Sequence, residues 1–348
     1  MMVVVTMSLA WNSLWLLLLL LMLLILSRSL SNRTLLAGGA AAAFVSLCGL
    51  QSLRFEPVCR QRALQVLRPR LGPGSTKAEA GSRLLGRAVA HRAGGHDAPE
   101  NTVAAVRKAA TNGAQAVELD MAFTEDGVAV LMHDDTVDRT TDGSGPIGAM
   151  SLANLRNLDA SAYHRLREQF KGERVPTLEE AVDECLQLNL IIYFDVKGDA
   201  EKSSTVLKQI YESRPELYNK SIVCSFDPRV IYMMRQKDVA VVTALTHRPW
   251  VLSHTLEGER LHLGWFRHRW AMLMDVALAW SLHNFLWQLC GISAVLMHKS
   301  VISQDYVQWW QERDVSVVGW TVNTAAEKAY YENVLDCNYI TDSLEGDA

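Results

Sequence analysis

Between residues 87 and 341 the chain alternates between two periodicities. Short apolar and β-branched runs at 88–91, 116–119, 128–132, 190–196, 222–225, 241–245, 315–320 and 338–341 read as strands. Between most of them lie segments with helical spacing: 102–112, 177–187, 200–214, 229–236, 303–313 and 325–335. Eight strands with interposed helices imply a parallel sheet, and eight is the number that closes on itself. The expected fold is an α/β TIM (β/α)8 barrel occupying residues 87–348. An open doubly wound sheet is the runner-up, but no Gly-x-Gly-x-x-Gly follows the first strand.

Two stretches break the alternation. Residues 134–175, after the third expected strand, form a small insertion containing the turn-rich Asp142-Gly143-Ser144-Gly145. Residues 247–299, after the sixth, form a hydrophobic insertion in which 270–297 is apolar apart from Asp275, Ser281, His283, Asn284, Gln288 and Ser293. Hydropathy alone reads 270–297 as a membrane span. Two more strands follow it, however, and a barrel cannot close with two strands across a bilayer from the other six. A hairpin or helix resting in one leaflet satisfies both constraints.

The N-terminal region has a different pattern. From Val3 to Ser27 there is no charge, a length that crosses a hydrocarbon core as a helix. Trp11 and Trp15 suit one interface, and Arg28 and Arg33 close the other end. A cleaved signal peptide is the alternative, against which stand the missing charged start and the long apolar run. A second uncharged segment, 35–53, is a further span or a helix packed at the membrane. Residues 1–53 are therefore expected to be a membrane region, and the basic, Pro- and Gly-containing 54–86 a linker. If both segments cross, the main domain lies outside the cytosol; if only the first does, charge bias reverses the orientation. The expectation adopted is a plasma-membrane or secretory-vesicle protein with an extracytoplasmic barrel. Asn32 and Asn219 head Asn-x-Ser/Thr triplets and are glycosylation candidates.

A net charge of −4 over 348 residues argues against a nucleic-acid partner. The six cysteines show no metal-type spacing. The candidate chemistry instead lies at strand ends. Residues two apart on a strand share a face, so Glu118 and Asp120 point together, as do Asp195 and Lys197. His91 and Arg92 end the first strand, and His133 and Asp134 follow the third. In barrel enzymes the chemistry sits at the carboxyl ends of strands. Clustered carboxylates repel unless a cation neutralises them, which favours a hard divalent metal. Arg92 and Lys197 supply positive charge for an anionic oxygen. Each pair alone is more often a solvated surface feature; their coincidence at successive strand ends gives the signal. His96 and Asp97 are read as hydrogen-bonding at the turn without doing chemistry, and His247, His254, His262 and His268 in the second insertion as structural or interfacial.

The segments HRAGGHDAPENT, VELDMAFTEDGVAVLMHDDTVDRTTDGSG, PTLEEAV, FDVKG, GWTVNT and YITD, in this order and spacing, resemble the glycerophosphodiester phosphodiesterase family from residue 88 to 343. The resemblance is closest to its membrane-tethered members that act on glycerophosphoinositol. It implies metal-dependent hydrolysis of glycerophosphodiesters to glycerol 3-phosphate and an alcohol. It also implies His91 and His133 as acid/base residues, Arg92 and Lys197 as phosphate ligands, and Glu118, Asp120 and Asp195 as metal ligands. Trp320 is implied to pack against the glycerol. The implied cofactor is Mg2+, with Ca2+ the alternative, and the implied partners are the small-molecule substrate and membrane lipid. Two positions depart from the pattern: Ala93 replaces the usual glycine after His-Arg, and Asp195 stands where many members carry the longer Glu. A lysophospholipase D acting at the membrane is the second reading, and a catalytically inactive membrane scaffold the third.

Overall fold

The computed structural model describes residues 52–67, 87–256 and 258–348. Nine strands form one sheet: β1 Ala88–Ala90, β2 Ala116–Phe123, β3 Ala129–Leu131, β4 Ile191–Val196, β5 Ser221–Ser225, β6 Thr243–His247, β7 Ala294–His298, β8 Ser316–Trp320 and β9 Asn338–Thr341. Eight of them pair in parallel in the order β1-β2-β4-β5-β6-β7-β8-β9, and β9 pairs back onto β1 to close the barrel. The expected count of eight is met, by a different set. β3 is antiparallel to β2 and lies outside the barrel; Met121 faces Leu131 and Phe123 faces Ala129 across a tight turn. Thr124, Asp126 and Gly127 make that turn, with Gly127 at φ 82°. The missing barrel strand is β7, which lies inside the stretch expected to be wholly insertion. The two insertions therefore separate β2 from β4 and β6 from β7.

The period of two divides each strand between two cores. One face of each strand packs against the surrounding helices, α1 Arg60–Leu67 aside: α2 Val103–Thr111, α3 Leu178–Gln187, α4 Ala200–Ser213, α5 Pro228–Lys237, the turn at Leu282 that continues α6 Trp265–Ser281, α7 Gln304–Gln311, and the turn at Tyr331 and Leu335 that continues α8 Ala325–Tyr330. The other face fills the barrel with Val89, Ala116, Ile191, Tyr193, Ile222, Cys224, Ala244, Ala294, Leu296, Val318 and Ile340. Val66 and Leu67 of α1 join this inner set, and the Leu67 carbonyl accepts a hydrogen bond from Asn338 at the start of β9. The first part of the expected linker is thus a plug at the amino end of the barrel, held by apolar burial that Pro and Gly content alone does not reveal. The 134–175 insertion has its own small core, including Val130, Val137, Ile147 and Leu155.

The helix that begins with α6 continues through a π-helical turn at Leu282–Leu286 and ends at Cys290. Gly291 stops it at φ 58°, and a Cβ there would meet the Phe55 carbonyl, so the position tolerates no side chain. The apolar run 270–297 is therefore a helix followed by β7. Among the described residues no helix is long and apolar enough to cross a membrane. The expected span over 3–27, all but the last two residues of the second apolar segment 35–53, residues 68–86 of the expected linker 54–86, and Asn32 lie outside the described residues. Cys185, Cys224, Cys290 and Cys337 are buried thiols and Cys59 is an exposed one.

Candidate active site

Following each inward-facing row two residues further brings a polar side chain to the carboxyl-end mouth. Val89 leads to His91, Ala116 to Glu118 and Asp120, and Tyr193 to Asp195 and Lys197. On the far side Leu296 leads to His298, Val318 to Trp320 and Ile340 to Asp342. β2 and β4 are neighbours in a register that sets Asp120 beside Asp195. One oxygen from each of Glu118, Asp120 and Asp195 lies within 4.8 Å of the other two.

Glu118 and Asp120 are buried, Asp195 is half-buried, and the three are polarised against one another. Burial, and Asp120 nearby, push Glu118 up to about 8. Burial also raises Asp195 to about 6, with Lys197 opposing and Asp120 reinforcing the shift. Burial favours the neutral form of Asp120 too, yet Lys197 and Arg92 hold it well below the usual carboxylate range. Lys197 Nζ lies 2.6 Å from Asp120 Oδ1 and 3.6 Å from Asp195 Oδ2. Arg92 Nε lies 3.7 Å from Asp120 Oδ2, and the Arg92 amide donates to Glu118 at 2.8 Å. Three carboxylates this close cannot all ionise unaided, so the donor set fits a divalent cation with oxygen ligands.

The turn after β1 sets this geometry. Arg92 (φ 51°), Ala93 (φ 64°) and Gly94 (φ 85°) are all left-handed, and Ala93 is buried. Two non-glycine residues there cost about 1–2 kcal/mol each. The turn is held by Gly94 N–H donating to His91 O and by Asn101 N–H donating to Arg92 O. Asn101 then donates through its side chain to Asp120 at 2.8 Å and accepts from the Asp120 amide at 3.0 Å. Thr102 caps α2 by accepting from the Ala105 amide. Asp97 is buried and structural as expected, accepting from Ser343 Oγ and the Leu344 amide beyond β9.

Each histidine has its own carboxylate. His91 Nδ1 lies 2.5 Å from Asp342 Oδ1, and Asn323 donates to the other Asp342 oxygen at 2.6 Å. The opposite ring nitrogen of His91 is 4.0 Å from Glu118. Burial opposes its charged form, but the Asp342 hydrogen bond and Glu118 outweigh it, so the His91 pKa is raised. His133 Nδ1 is 2.6 Å from Asp134 Oδ1. Burial, aided by Lys197 and Arg92, lowers its pKa despite Asp120. A chain of ion pairs connects the two arms: Arg92 to Glu100, Glu100 to Arg139, and Arg139 to Asp134.

His91, Arg92, Glu118, Asp120, Asp195, Lys197 and His133 are therefore one connected group, with Lys197 also donating to the His133 carbonyl. Trp320 stands elsewhere on the rim, its ring 5.3 Å from His298 and 5.6 Å from Phe226, forming an aromatic wall. A cleft of about 340 Å³ beyond it is lined by Arg248, Trp250, His254, His298 and Ser300. Asn219 is exposed just before β5, at the amino end of the barrel and away from the mouth. Sequence reasoning assigned no role to Asp342, Asn101, Glu100, Arg139 or His298. For Asp342 and His298 the signal was present, each falling two residues past an inward apolar position.

Comparison with known proteins agrees with this site. The model of the glycerophosphoryl diester phosphodiesterase family matches residues 91–345. The chain is 55% identical over 295 residues to glycerophosphodiester phosphodiesterase 1 of Mus musculus, covering 85% of each protein. It is 53% identical over 320 residues to the Homo sapiens protein of the same name, covering 92% of this chain and 91% of that one. Among solved structures it is similar to an Oleispira antarctica phosphodiesterase in complex with the product sn-glycerol-3-phosphate. That match has a TM-score of 0.59 and 21% identity, covering 74% of this chain and 92% of that one. A glycerophosphodiester phosphodiesterase from Agrobacterium tumefaciens matches with a TM-score of 0.56 and 19% identity, covering 74% and 97%. These structural matches support the barrel fold.

Proposed function

The chain belongs to the glycerophosphoryl diester phosphodiesterase family and acts as a phosphodiesterase on glycerophosphodiesters; from that premise we propose a metal-dependent, two-histidine hydrolysis at the mouth. The observation that carries the reading is the joining of His91, Glu118, Asp120, Asp195, Lys197 and His133 into one polar cluster around two buried carboxyls. Glu118, Asp120 and Asp195 are the proposed ligands of Mg2+, with Ca2+ the alternative. A cation bound there would polarise the phosphate and acidify the attacking oxygen. Arg92 and Lys197 offset negative charge growing on the phosphoryl oxygens. His133, kept neutral by burial, takes the proton from the attacking water, or from the glycerol hydroxyl, in which case a cyclic phosphate forms and water opens it in a second step. As the bond from phosphorus to the alcohol oxygen breaks, His91 passes its proton to that oxygen. Asp342 positions His91 and stabilises its charged form. Trp320 packs against the glycerol, and the cleft near His298 receives the leaving alcohol, for which we propose inositol and related head groups.

The test is turnover of glycerophosphoinositol, glycerophosphocholine, glycerophosphoethanolamine and a lysophospholipid, each with Mg2+, with Ca2+ and with chelator. The expected result is Mg2+-supported release of glycerol 3-phosphate from glycerophosphoinositol. Chelator should abolish it, and His91→Ala should lower it by about 10²–10⁴-fold. Turnover of the lysophospholipid alone would favour the lysophospholipase D reading. Metal-independent turnover, or a fully active His91→Ala, would contradict the mechanism.

A further inference from the structure

The connection from β6 to β7 carries a helix built inside out. On α6 the residues turned toward the protein are His268 and Asp275, 7% and 3% exposed. Trp265, Phe266, Trp270, Leu273, Val276 and Trp280 face outward instead, Trp265 at 76% and Trp280 at 62%. Phe266, Trp270, Leu273, Ala277 and Trp280 follow helical spacing, with Trp265 and Val276 beside them, so the apolar side chains form one stripe. Of the fifteen large apolar side chains exposed among the described residues, six belong to this helix, which makes it a patch rather than scatter.

The stripe cannot bury itself by rotation. Asp275 accepts from the Leu252 amide at 2.8 Å and from Ser253 Oγ at 2.6 Å, fixing the polar side inward. Further along the same helix Leu278, Leu282 and Leu286 border a small cavity with Phe226, Leu245 and His247, at the carboxyl ends of β5 and β6. The stripe thus stands at the catalytic rim.

Charge and composition identify the occupant. The exposed charges on α6 are Arg267 and Arg269, and the Arg269 guanidinium sits 6.0 Å from the Trp265 ring centre. The single acid of the helix is turned inward, and the chain as a whole has a net charge of −4. An aromatic stripe with exposed arginines near its amino-terminal end suits the boundary between head groups and acyl chains of an anionic leaflet. A span is excluded by the fold, because the helix ends at Cys290 and β7 returns directly to the barrel.

We propose that α6 lies in the plane of an anionic phospholipid bilayer and seats the catalytic rim beside that surface. This inference is independent of the hydrolytic mechanism. The test uses the full chain reconstituted in vesicles of phosphatidylcholine and phosphatidylserine, with Cys48→Ser and Cys59→Ser as background. An environment-sensitive fluorophore is placed at Leu273→Cys and, as a second site, Ala277→Cys; Tyr163→Cys is the exposed reference. Unchanged hydrolysis confirms that the labelled chains are folded. The expected result is blue-shifted emission at 273 and 277, quenched more by nitroxide near the head group than by nitroxide near the acyl terminus. Residue 163 should remain water-like. Strongest quenching by the deep nitroxide would mean a span. A blue shift that no lipid nitroxide quenches would mean cover by a second copy or by the N-terminal segment, and water-like emission would mean no cover. Each of these three results would overturn the proposal.

Discussion

The barrel mouth and α6 solve opposite problems with the same alphabet. At the mouth, charged groups are partly or wholly removed from water and each is tied to another: Asp120 to Lys197 and Asn101, His91 to Asp342, Glu100 to Arg92 and Arg139. On α6 the aromatic side chains face outward and the one acid is buried. An ionised group in a low-dielectric site is costly unless partnered, so the mouth holds its charges only as a network. An exposed apolar stripe is costly only in water, so α6 is suited to a surface that is not water. The comparison separates a region organised for a small anion from one organised for an extended apolar boundary.

The largest expected effect falls on the mouth. Asp342→Asn removes the carboxylate that raises the His91 pKa while keeping its shape. Turnover should fall by about 10²-fold, at the lower end of what general acid–base catalysis contributes. The pH profile gives the sign. His91 is protonated below its raised pKa and loses that proton as pH rises through it. Lowering the pKa therefore moves the alkaline limb to lower pH. If the acid limb moved instead, His91 would be the base and His133 the acid.

A smaller effect is expected on the insertion. Asp275→Ala takes the acceptor from the part-buried Leu252 amide and leaves the buried Ser253 hydroxyl with His254 alone, which should cost about 1–3 kcal/mol of stability. Chemical denaturation at equilibrium measures it. Turnover per folded molecule on a soluble glycerophosphodiester should remain close to wild type. No loss of stability would mean that the inward polar side does not hold the helix, and the contrast with the mouth would weaken.

How much of this was legible in the sequence depends on the range of the interactions. Periodicity found the barrel and brought Glu118 with Asp120 and Asp195 with Lys197 to common faces, because both are local consequences of the strand period. It counted 128–132 as a barrel strand because the apolar run looks the same in either role. The Asp126-Gly127 turn, a hairpin signal, distinguishes them. It missed β7 because helix and strand there share one largely apolar stretch, with Gly291 as the break between them. The Glu100–Arg139–Asp134 bridge joins separate loops, and no local pattern reveals it. Ala93 departs from the family pattern at a turn that a non-glycine side chain fits comfortably only at negative φ. It takes the left-handed conformation a glycine would take, at φ 64°, with its methyl buried.

The central claim is that Glu118, Asp120 and Asp195 together hold a divalent cation, and calorimetric titration of Mg2+ at pH 7 tests it without reference to turnover. With Glu118 near 8 and Asp195 near 6, the free site retains protons that a cation must displace. Repeating the titration in buffers of different ionisation enthalpy should reveal release of about one proton per ion bound. Glu118→Gln should remove most of that release and weaken binding. Absence of binding, or binding with the same proton release in Glu118→Gln, would contradict the account.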